Sequence, residues 1–108
     1  MNTEEKIALQ LKSHPVLLYM KGVPEDPQCG FSARTVQALQ SVGVEFSYVD
    51  VLKSPFIRER LPGISHWPTF PQLFVKGHLI GGCDIIEEEL GRGSLRSLID
   101  QTLEKEEA

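Results

Sequence analysis

The fold is decided by residues 16–51, which read VLLYMKGVPEDPQCGFSARTVQALQSVGVEFSYVDV. Residues 16–20 form a short continuous apolar run, which is typical of a strand buried on both faces. Glycine and prolines then indicate a loop over residues 21–28. A helix is predicted from Cys29 to about Ser41, and a second strand over residues 46–51. Strand, helix and strand within about 35 residues form a βαβ unit, which implies two parallel strands.

One helix precedes this unit and a second follows it. Thr3 is the predicted cap of the first helix, which ends before Pro15. The second is a short helix that begins at Ser54, with a proline at its first helical position, and ends at Pro62–Gly63.

A hairpin and two more helices complete the chain. Residues 72–75 and 78–80 are predicted to be its two strands. Asp84 is the predicted cap of the next helix, with Glu87 at the capping-box position, and Gly93–Ser94 begins the last helix. The order α-βαβ-α-ββ-α-α therefore predicts an α/β fold in which a four-stranded mixed sheet is flanked by helices on both faces.

Composition limits the class of protein. The chain has 108 residues, a net charge of -4 and 41% hydrophobic residues, so we expect one domain over residues 1–108, with an ordered core over about 3–103 and a frayed end over 104–108. The acidic balance argues against a nucleic-acid partner. No apolar run is long enough for a membrane span, and the N-terminus does not resemble a secretory signal. Two cysteines indicate a reducing compartment, and we expect the cytoplasm.

Cys29 is the main candidate for chemistry. Ligands of such sheets bind at the carboxyl ends of the parallel strands, where Lys21 and Cys29 are expected. A cysteine that opens a helix favours its thiolate, which is both a nucleophile and a soft metal ligand. The alternative is a small buried hydrophobic residue. Ser32 stands where a two-thiol motif would have its second cysteine, so the local motif cannot form a disulfide.

Three sequence motifs follow one another along the chain. They are Lys21, Gly22, Pro24 and Pro27 with Cys29-Gly30-Phe31-Ser32, then Trp67-Pro68-Thr69-Phe70-Pro71-Gln72-Leu73, then Gly81-Gly82-Cys83-Asp84. In this order they resemble the motifs of the monothiol glutaredoxins of the CGFS class. The resemblance covers nearly the whole chain. It implies a thioredoxin/glutaredoxin-like fold in a single-domain form, without a thioredoxin-like extension. Val23 departs from the usual pattern, and the acidic pair Glu25-Asp26 is expected to oppose thiolate formation at Cys29 slightly.

The resemblance also implies a glutathione site. It assigns glutathione binding to Lys21, Arg58, Phe70, Pro71, Cys83 and Asp84, and it implies a cis bond between Phe70 and Pro71. A helix N-terminus would receive the γ-glutamyl carboxylate, while Asp84 pairs with the amino group. Several alternatives stay open. Arg60 competes with Arg58, Trp67 belongs either to the core or to the surface, and Asp84 could be a helix cap alone.

The resemblance implies a [2Fe–2S] cluster shared between two chains. Such a cluster takes four ligands, so Cys29 from each of two protomers and two glutathione thiols would complete the set. The implied function is cluster storage and transfer in iron homeostasis, with a BolA-family protein and apo iron–sulfur client proteins as partners.

In a second hypothesis the chain is an enzyme rather than a cluster carrier. It would be a glutathione-dependent oxidoreductase of at most weak activity, in which Cys29 reduces protein–glutathione mixed disulfides. Cys83 would be either a resolving thiol or a structural one. His14, His66 and His78 have no spacing suited to a joint metal site and are predicted to lie on the surface, and Glu87-Glu88-Glu89 is predicted to be a solvated face.

Overall fold

The computed structural model describes residues 1–105, and its elements follow the predicted order with one addition. The helices are α1 Thr3–Ser13, α2 Gly30–Ser41, α3 Pro55–Ser65, α4 Cys83–Gly91 and α5 Leu95–Glu104. The strands are β1 Val16–Met20, β2 Gly22–Val23, β3 Asp26–Pro27, β4 Ser47–Asp50, β5 Gln72–Val75 and β6 His78–Gly81. Within residues 1–105 no helix has the length and apolar character that crossing a membrane requires.

The main sheet has the strand order β4-β1-β5-β6. β1 runs parallel to β4, whereas β5 is antiparallel to both β1 and β6. The predicted βαβ unit, hairpin and four-stranded mixed sheet are therefore confirmed. Because Gln72 at the start of β5 lies opposite Tyr19 near the end of β1, the segment before β5 reaches the same sheet edge as Lys21. The end of β6 also arrives there, since it runs in the direction of β1.

Helices cover both faces of this sheet, as predicted. β1 is buried along its whole length, and its side chains alternate between two hydrophobic clusters. On one face, α2, α4 and α5 pack against β1 and β5 through Leu18, Met20, Leu39, Leu73, Ile86 and Ile99. On the other face, α1 and α3 do so through Ile7, Leu17, Tyr19, Ile57, Leu61 and Phe74. The face that carries α2 and α4 thus fixes two helix N-termini relative to the sheet edge.

Two helix boundaries differ from the prediction. α1 is capped by Asn2 rather than Thr3, because the Asn2 side chain accepts the Glu5 N–H at 2.8 Å and the Glu5 carboxylate accepts the Asn2 N–H at 3.2 Å. α3 continues through Pro62 to Ser65 and ends where His66 adopts a left-handed conformation with φ 56°. A proline removes a single backbone donor, so the last turn of a helix can continue past it when the following residues keep their helical conformation.

The segment over residues 21–28 is more ordered than the predicted loop, since β2 and β3 form a small antiparallel hairpin. Gly22 has φ 90°, and a Cβ there would lie 2.7 Å from the Asp26 carbonyl oxygen, so only glycine fits this turn. The Gly22 N–H donates to the Asp50 carboxylate at 2.9 Å. The end of β4 therefore anchors the start of the hairpin that leads to Cys29.

The start of α4 also differs from the prediction. Gly82, in an extended conformation, is the N-cap, and its carbonyl oxygen accepts the Ile86 N–H at 3.1 Å. Asp84 is therefore the second helical residue and not the cap, and the alternative that made it a cap alone is wrong. The predicted frayed end begins inside α5, which includes Glu104, and residues 106–108 lie outside the described part of the chain.

Candidate functional site

The sheet edge opens into a cleft of about 520 Å³. It is lined by every candidate site residue of the sequence analysis, namely Lys21, Cys29, Arg58, Phe70, Pro71, Cys83 and Asp84. The lining also includes Phe31, Pro62, Trp67, Pro68, Thr69 and Gly82. All of these except Pro62 belong to the motifs that carry the resemblance, so membership of a motif is the signal that could have found them. Pro62 lies near the end of α3 and was expected only to end that helix.

Cys29 is the N-cap of α2 and is half-buried. Partial burial raises the pKa of its thiol, whereas the backbone N–H groups of Ser32 and Phe31 lower it because they stabilise the thiolate. The charge of Lys21 and the Ser32 hydroxyl act in the same direction, and the net result is a pKa below the ordinary value. Cys29 is thus a partly exposed thiol with a lowered pKa, as its position at a helix start predicts, and the alternative of a buried hydrophobic residue is wrong.

Ser32 connects the thiol to the sheet edge. Its side chain is fully buried, and its hydroxyl oxygen accepts the Lys21 backbone N–H at 3.1 Å. That bond occupies a lone pair of the oxygen and leaves the hydroxyl proton for Cys29. The groups that shift the Cys29 pKa do not include the exposed Glu25-Asp26 pair, so the expected opposition from these acids is not found.

Two arginines on α3 were competing candidates for a carboxylate clamp. Arg58 lines the cleft. Arg60 instead forms an ion pair with Glu4 of α1. Arg58 and Lys21 are therefore the cationic side chains that line the cleft.

Another part of the cleft lining is the segment that leads into β5. Its Phe70–Pro71 bond is cis, as the resemblance implied. The fully buried Gln72 side chain donates hydrogen bonds to the carbonyl oxygens of Trp67 at 2.9 Å and Thr69 at 3.1 Å, and these bonds hold the segment in place. Trp67 is half-buried on the cleft, so it belongs to neither of the two environments that were weighed for it. Sequence reasoning missed the role of Gln72, because no pattern distinguishes it from an ordinary strand residue.

Trp67 lies directly against the backbone that opens α4. A Cβ on Gly82 would come within 2.9 Å of the indole Nε1 and 3.1 Å of the Pro71 carbonyl oxygen. Glycine at this position therefore allows the segment that leads into β5 and the start of α4 to approach each other closely.

Cys83 lies on the cleft as the first residue of α4, but its environment differs from that of Cys29. The side chain is buried, and its Sγ–H donates to Glu87 Oε1 at 3.4 Å. Burial raises the pKa of this thiol, and the carboxylate of Glu87 raises it further, while the Thr35 hydroxyl and the charge of Arg34 lower it. Glu87 is accordingly a partner of Arg34 and Cys83, not part of a solvated face.

The cleft combines a thiol of lowered pKa with groups that can bind charged ligands. Lys21 and Arg58 are cations, Asp84 is an anion, and the backbone N–H groups that open α2 and α4 favour anions. His14, His66 and His78 are exposed, as predicted. Among residues 1–105, no group of three or more His, Cys, Asp or Glu side chains is placed to hold a metal ion without outside ligands.

Comparison with known proteins identifies the family. The glutaredoxin family model matches residues 16–80. Glutaredoxin 4 of Escherichia coli strain K12 is 55% identical over 103 residues, which cover 95% of this chain and 90% of that protein. Glutaredoxin 4 of Haemophilus ducreyi is 53% identical over 105 residues, which cover 97% of this chain and 98% of that protein.

A solved structure shows the same fold. The solution structure of reduced poplar apo GrxS14 is 39% identical, with a TM-score of 0.79 and coverage of 93% of this chain and 92% of that one. The fold, the Cys29-Gly30-Phe31-Ser32 motif and these relatives agree: the chain belongs to the glutaredoxin family, in its monothiol CGFS class.

Proposed function

We propose that this chain binds glutathione in the cleft and that two chains hold a [2Fe–2S] cluster between them for delivery to apo-proteins in iron homeostasis. The observation that carries the proposal is the position of Cys29. This thiol has a lowered pKa, lies half-exposed beside a cleft lined by cations and a helix N-terminus, and has no second thiol in its local motif.

Glutathione fits the charges of the cleft. Lys21 and Arg58 are suited to its glycine carboxylate, because both are cations that line the cavity. Phe70 and Pro71 would bind the middle of the tripeptide. Asp84 would pair with the γ-glutamyl amino group, while the backbone N–H groups that open α4 receive its carboxylate. This arrangement directs the cysteine of the tripeptide toward Cys29.

The ligand set agrees with a cluster as cargo. A [2Fe–2S] cluster is held by four thiolate-type ligands. One protomer contributes Cys29, and no group of three potential metal ligands accompanies it within residues 1–105. Two protomers with two glutathione molecules supply four thiolates, so Cys29 would be a metal ligand shared with a second protomer. Because glutathione is not covalently attached, the cluster would be transferable.

Other partners and the compartment follow from the same proposal. A BolA-family protein would replace one protomer of the homodimer, and apo iron–sulfur proteins would receive the cluster. We place the protein in the cytoplasm, where free thiols and glutathione persist.

A second candidate function rests on the lowered pKa of Cys29, which suits a nucleophile. In this reaction the Cys29 thiolate attacks the glutathione sulfur of a protein–glutathione mixed disulfide and releases the protein thiolate. A second glutathione thiolate then attacks the Cys29–glutathione disulfide, which yields oxidised glutathione and regenerates the Cys29 thiolate. We expect this activity to be weak at most.

Anaerobic reconstitution with iron, sulfide and glutathione separates the two functions. Visible absorption by a coloured dimer, which forms only when glutathione is present, is the expected result for a cluster carrier. The same preparation without iron is assayed for reduction of a small glutathione mixed disulfide. A colourless monomer that reduces the disulfide rapidly would contradict the carrier function and support the enzyme.

A further inference from the structure

A polar cluster joins the two helices that carry the two thiols. Arg34 of α2 donates to Glu87 of α4 through Nε at 3.2 Å to each carboxylate oxygen and through Nη2 at 2.7 Å to Oε1. The Arg34 guanidinium also lies 5.2 Å from the centroid of the Phe31 ring, which lines the cleft. A planar guanidinium held in this way has a fixed orientation.

The same carboxylate reaches Cys83. Glu87 Oε1 accepts a hydrogen bond from the Cys83 thiol, with Sγ at 3.4 Å, and also accepts the N–H of Arg34 Nη2. The groups that act on Cys83 come from its own helix and from α2: Glu87, Arg34 and the Thr35 hydroxyl. A thiol that donates to a carboxylate is stabilised in its protonated form, and an adjacent cation has the opposite effect.

We propose that Glu87, oriented by Arg34, is a positioning residue that keeps Cys83 as a neutral thiol, so that Cys29 is the reactive thiol of the cleft. The chain has two cysteines, and both line the same cavity. If Cys83 ionised readily, it would compete with Cys29 for disulfides and for metal. Burial opposes this ionisation and Glu87 adds to that opposition, so that Cys83 acts as a hydrogen-bonded wall residue rather than as a resolving thiol.

The two members of the ion pair should have opposite effects on Cys83. Glu87→Gln removes the carboxylate that accepts the thiol proton, and it leaves Arg34 without its anion beside the sulfur. The thiolate of Cys83 then becomes more favourable. Arg34→Gln removes the cation and leaves the Glu87 charge facing Cys83 alone, so the thiolate becomes less favourable. A pair that only held α2 against α4 would give the same direction in both variants.

The test is the rate at which iodoacetamide alkylates Cys83 in the apo-protein, in a Cys29→Ser background. When the pKa of a thiol falls by one unit, the thiolate fraction below that pKa rises about tenfold, while the nucleophilicity of the thiolate falls about threefold. We therefore expect Glu87→Gln to accelerate alkylation about threefold or more near neutral pH and to shift its pH profile to lower pH. Arg34→Gln should slow alkylation and shift the profile to higher pH.

Glu88→Gln is the matched control. Glu88 lies next to Glu87 on α4 but pairs with Arg92, so its loss should leave the rate unchanged. Arg34 and Glu87 have side chains 48% and 39% exposed, so both variants should fold. Shifts in the same direction, or no shift in either variant, would overturn the proposal. That failure would leave the cluster function standing, because the readout uses apo-protein that lacks Cys29.

Discussion

The N-terminal ends of α2 and α4 each place a cysteine against the same cleft, yet they give the two thiols opposite properties. Cys29 is half-buried, and backbone N–H groups, a serine hydroxyl and Lys21 lower its pKa. Cys83 is buried, and its proton is bonded to a carboxylate, so its pKa is raised. A helix N-terminus alone therefore does not decide reactivity. Burial raises the pKa of both thiols, and the hydrogen bonds and charges around each sulfur then separate the two pKa values.

The largest expected difference between the two thiols is the effect of removing each sulfur on cluster assembly. Cys29→Ser should abolish cluster assembly, because a hydroxyl does not replace a thiolate as a ligand of iron. Cys83→Ser should retain the cluster. Iron and sulfide content after anaerobic reconstitution measures both. Loss of the cluster in Cys83→Ser would show that the ligands are assigned to the wrong thiol.

Gln72 holds the cleft segment that precedes β5. Gln72→Met removes its bonds to Trp67 and Thr69, each worth about 1 kcal/mol, so the free energy of unfolding should fall by about 1–2 kcal/mol. The unpaired buried Oε1 of Gln72 is removed as well, which offsets part of the loss. Urea unfolding measures this free energy. Gln37→Met, at an exposed position of α2, should change the free energy of unfolding little. An equal decrease in both variants would show that the Gln72 hydrogen bonds have no special role.

The start of α4 can be altered without touching Cys29. Gly82→Ala would force the new Cβ against Trp67 and the Pro71 carbonyl, displacing a wall of the cleft. We expect glutathione binding, measured by calorimetry, to weaken about tenfold, equivalent to about 1.4 kcal/mol. Gly91→Ala, whose Cβ would meet no atom within 4 Å, is the control. Unchanged affinity in Gly82→Ala would place the ligand elsewhere.

Lys21 tests the electrostatic half of the Cys29 site. Lys21→Gln removes a charge that lowers the Cys29 pKa, so alkylation of Cys29 should slow about threefold near neutral pH and its profile should move to higher pH. High salt should reduce the difference from wild type, since the site is partly exposed. Lys12→Gln, at an exposed position of α1, should have no such effect. A profile that does not respond to Lys21→Gln would leave the hydrogen bonds as the sole cause.

The smallest effect is the dependence of stability on pH. In Cys83→Ser, the remaining Cys29 has a lowered pKa in the folded state, so the unfolded chain binds more protons and stability should rise with pH up to the ordinary thiol pKa. In Cys29→Ser, the pKa of Cys83 is raised in the folded state, so the sign reverses and stability should fall as the pH rises from the ordinary thiol pKa to the raised one. Urea unfolding, with the double variant as baseline, measures both slopes. Slopes of the same sign would contradict the comparison.

The sequence predicted the elements that depend on local pattern. The apolar run of β1, the helix at Cys29 and the hairpin around Lys76–Gly77 are all confirmed. Resemblance added the cis Phe70–Pro71 bond, which no local pattern reveals. Helix ends were less predictable, because Asn2 and Thr3 are both good caps and only the backbone path decides between them.

The environment of Cys83 could not be predicted for a different reason. Arg34 and Glu87 are 53 residues apart in sequence and meet only when α2 packs against α4. Each one alone reads as a solvated charge. The same holds for Arg58 and Arg60 on α3, because only the packed structure shows that Arg58 lines the cleft while Arg60 pairs with Glu4 of α1.

Native mass spectrometry after reconstitution is the decisive experiment for a cluster shared by two chains, because it counts every component of the assembly. We expect one species that contains two chains, two iron and two sulfide ions and two glutathione molecules, and that is lost in Cys29→Ser. A cluster-bearing species without glutathione, or one that persists in Cys29→Ser, would contradict it.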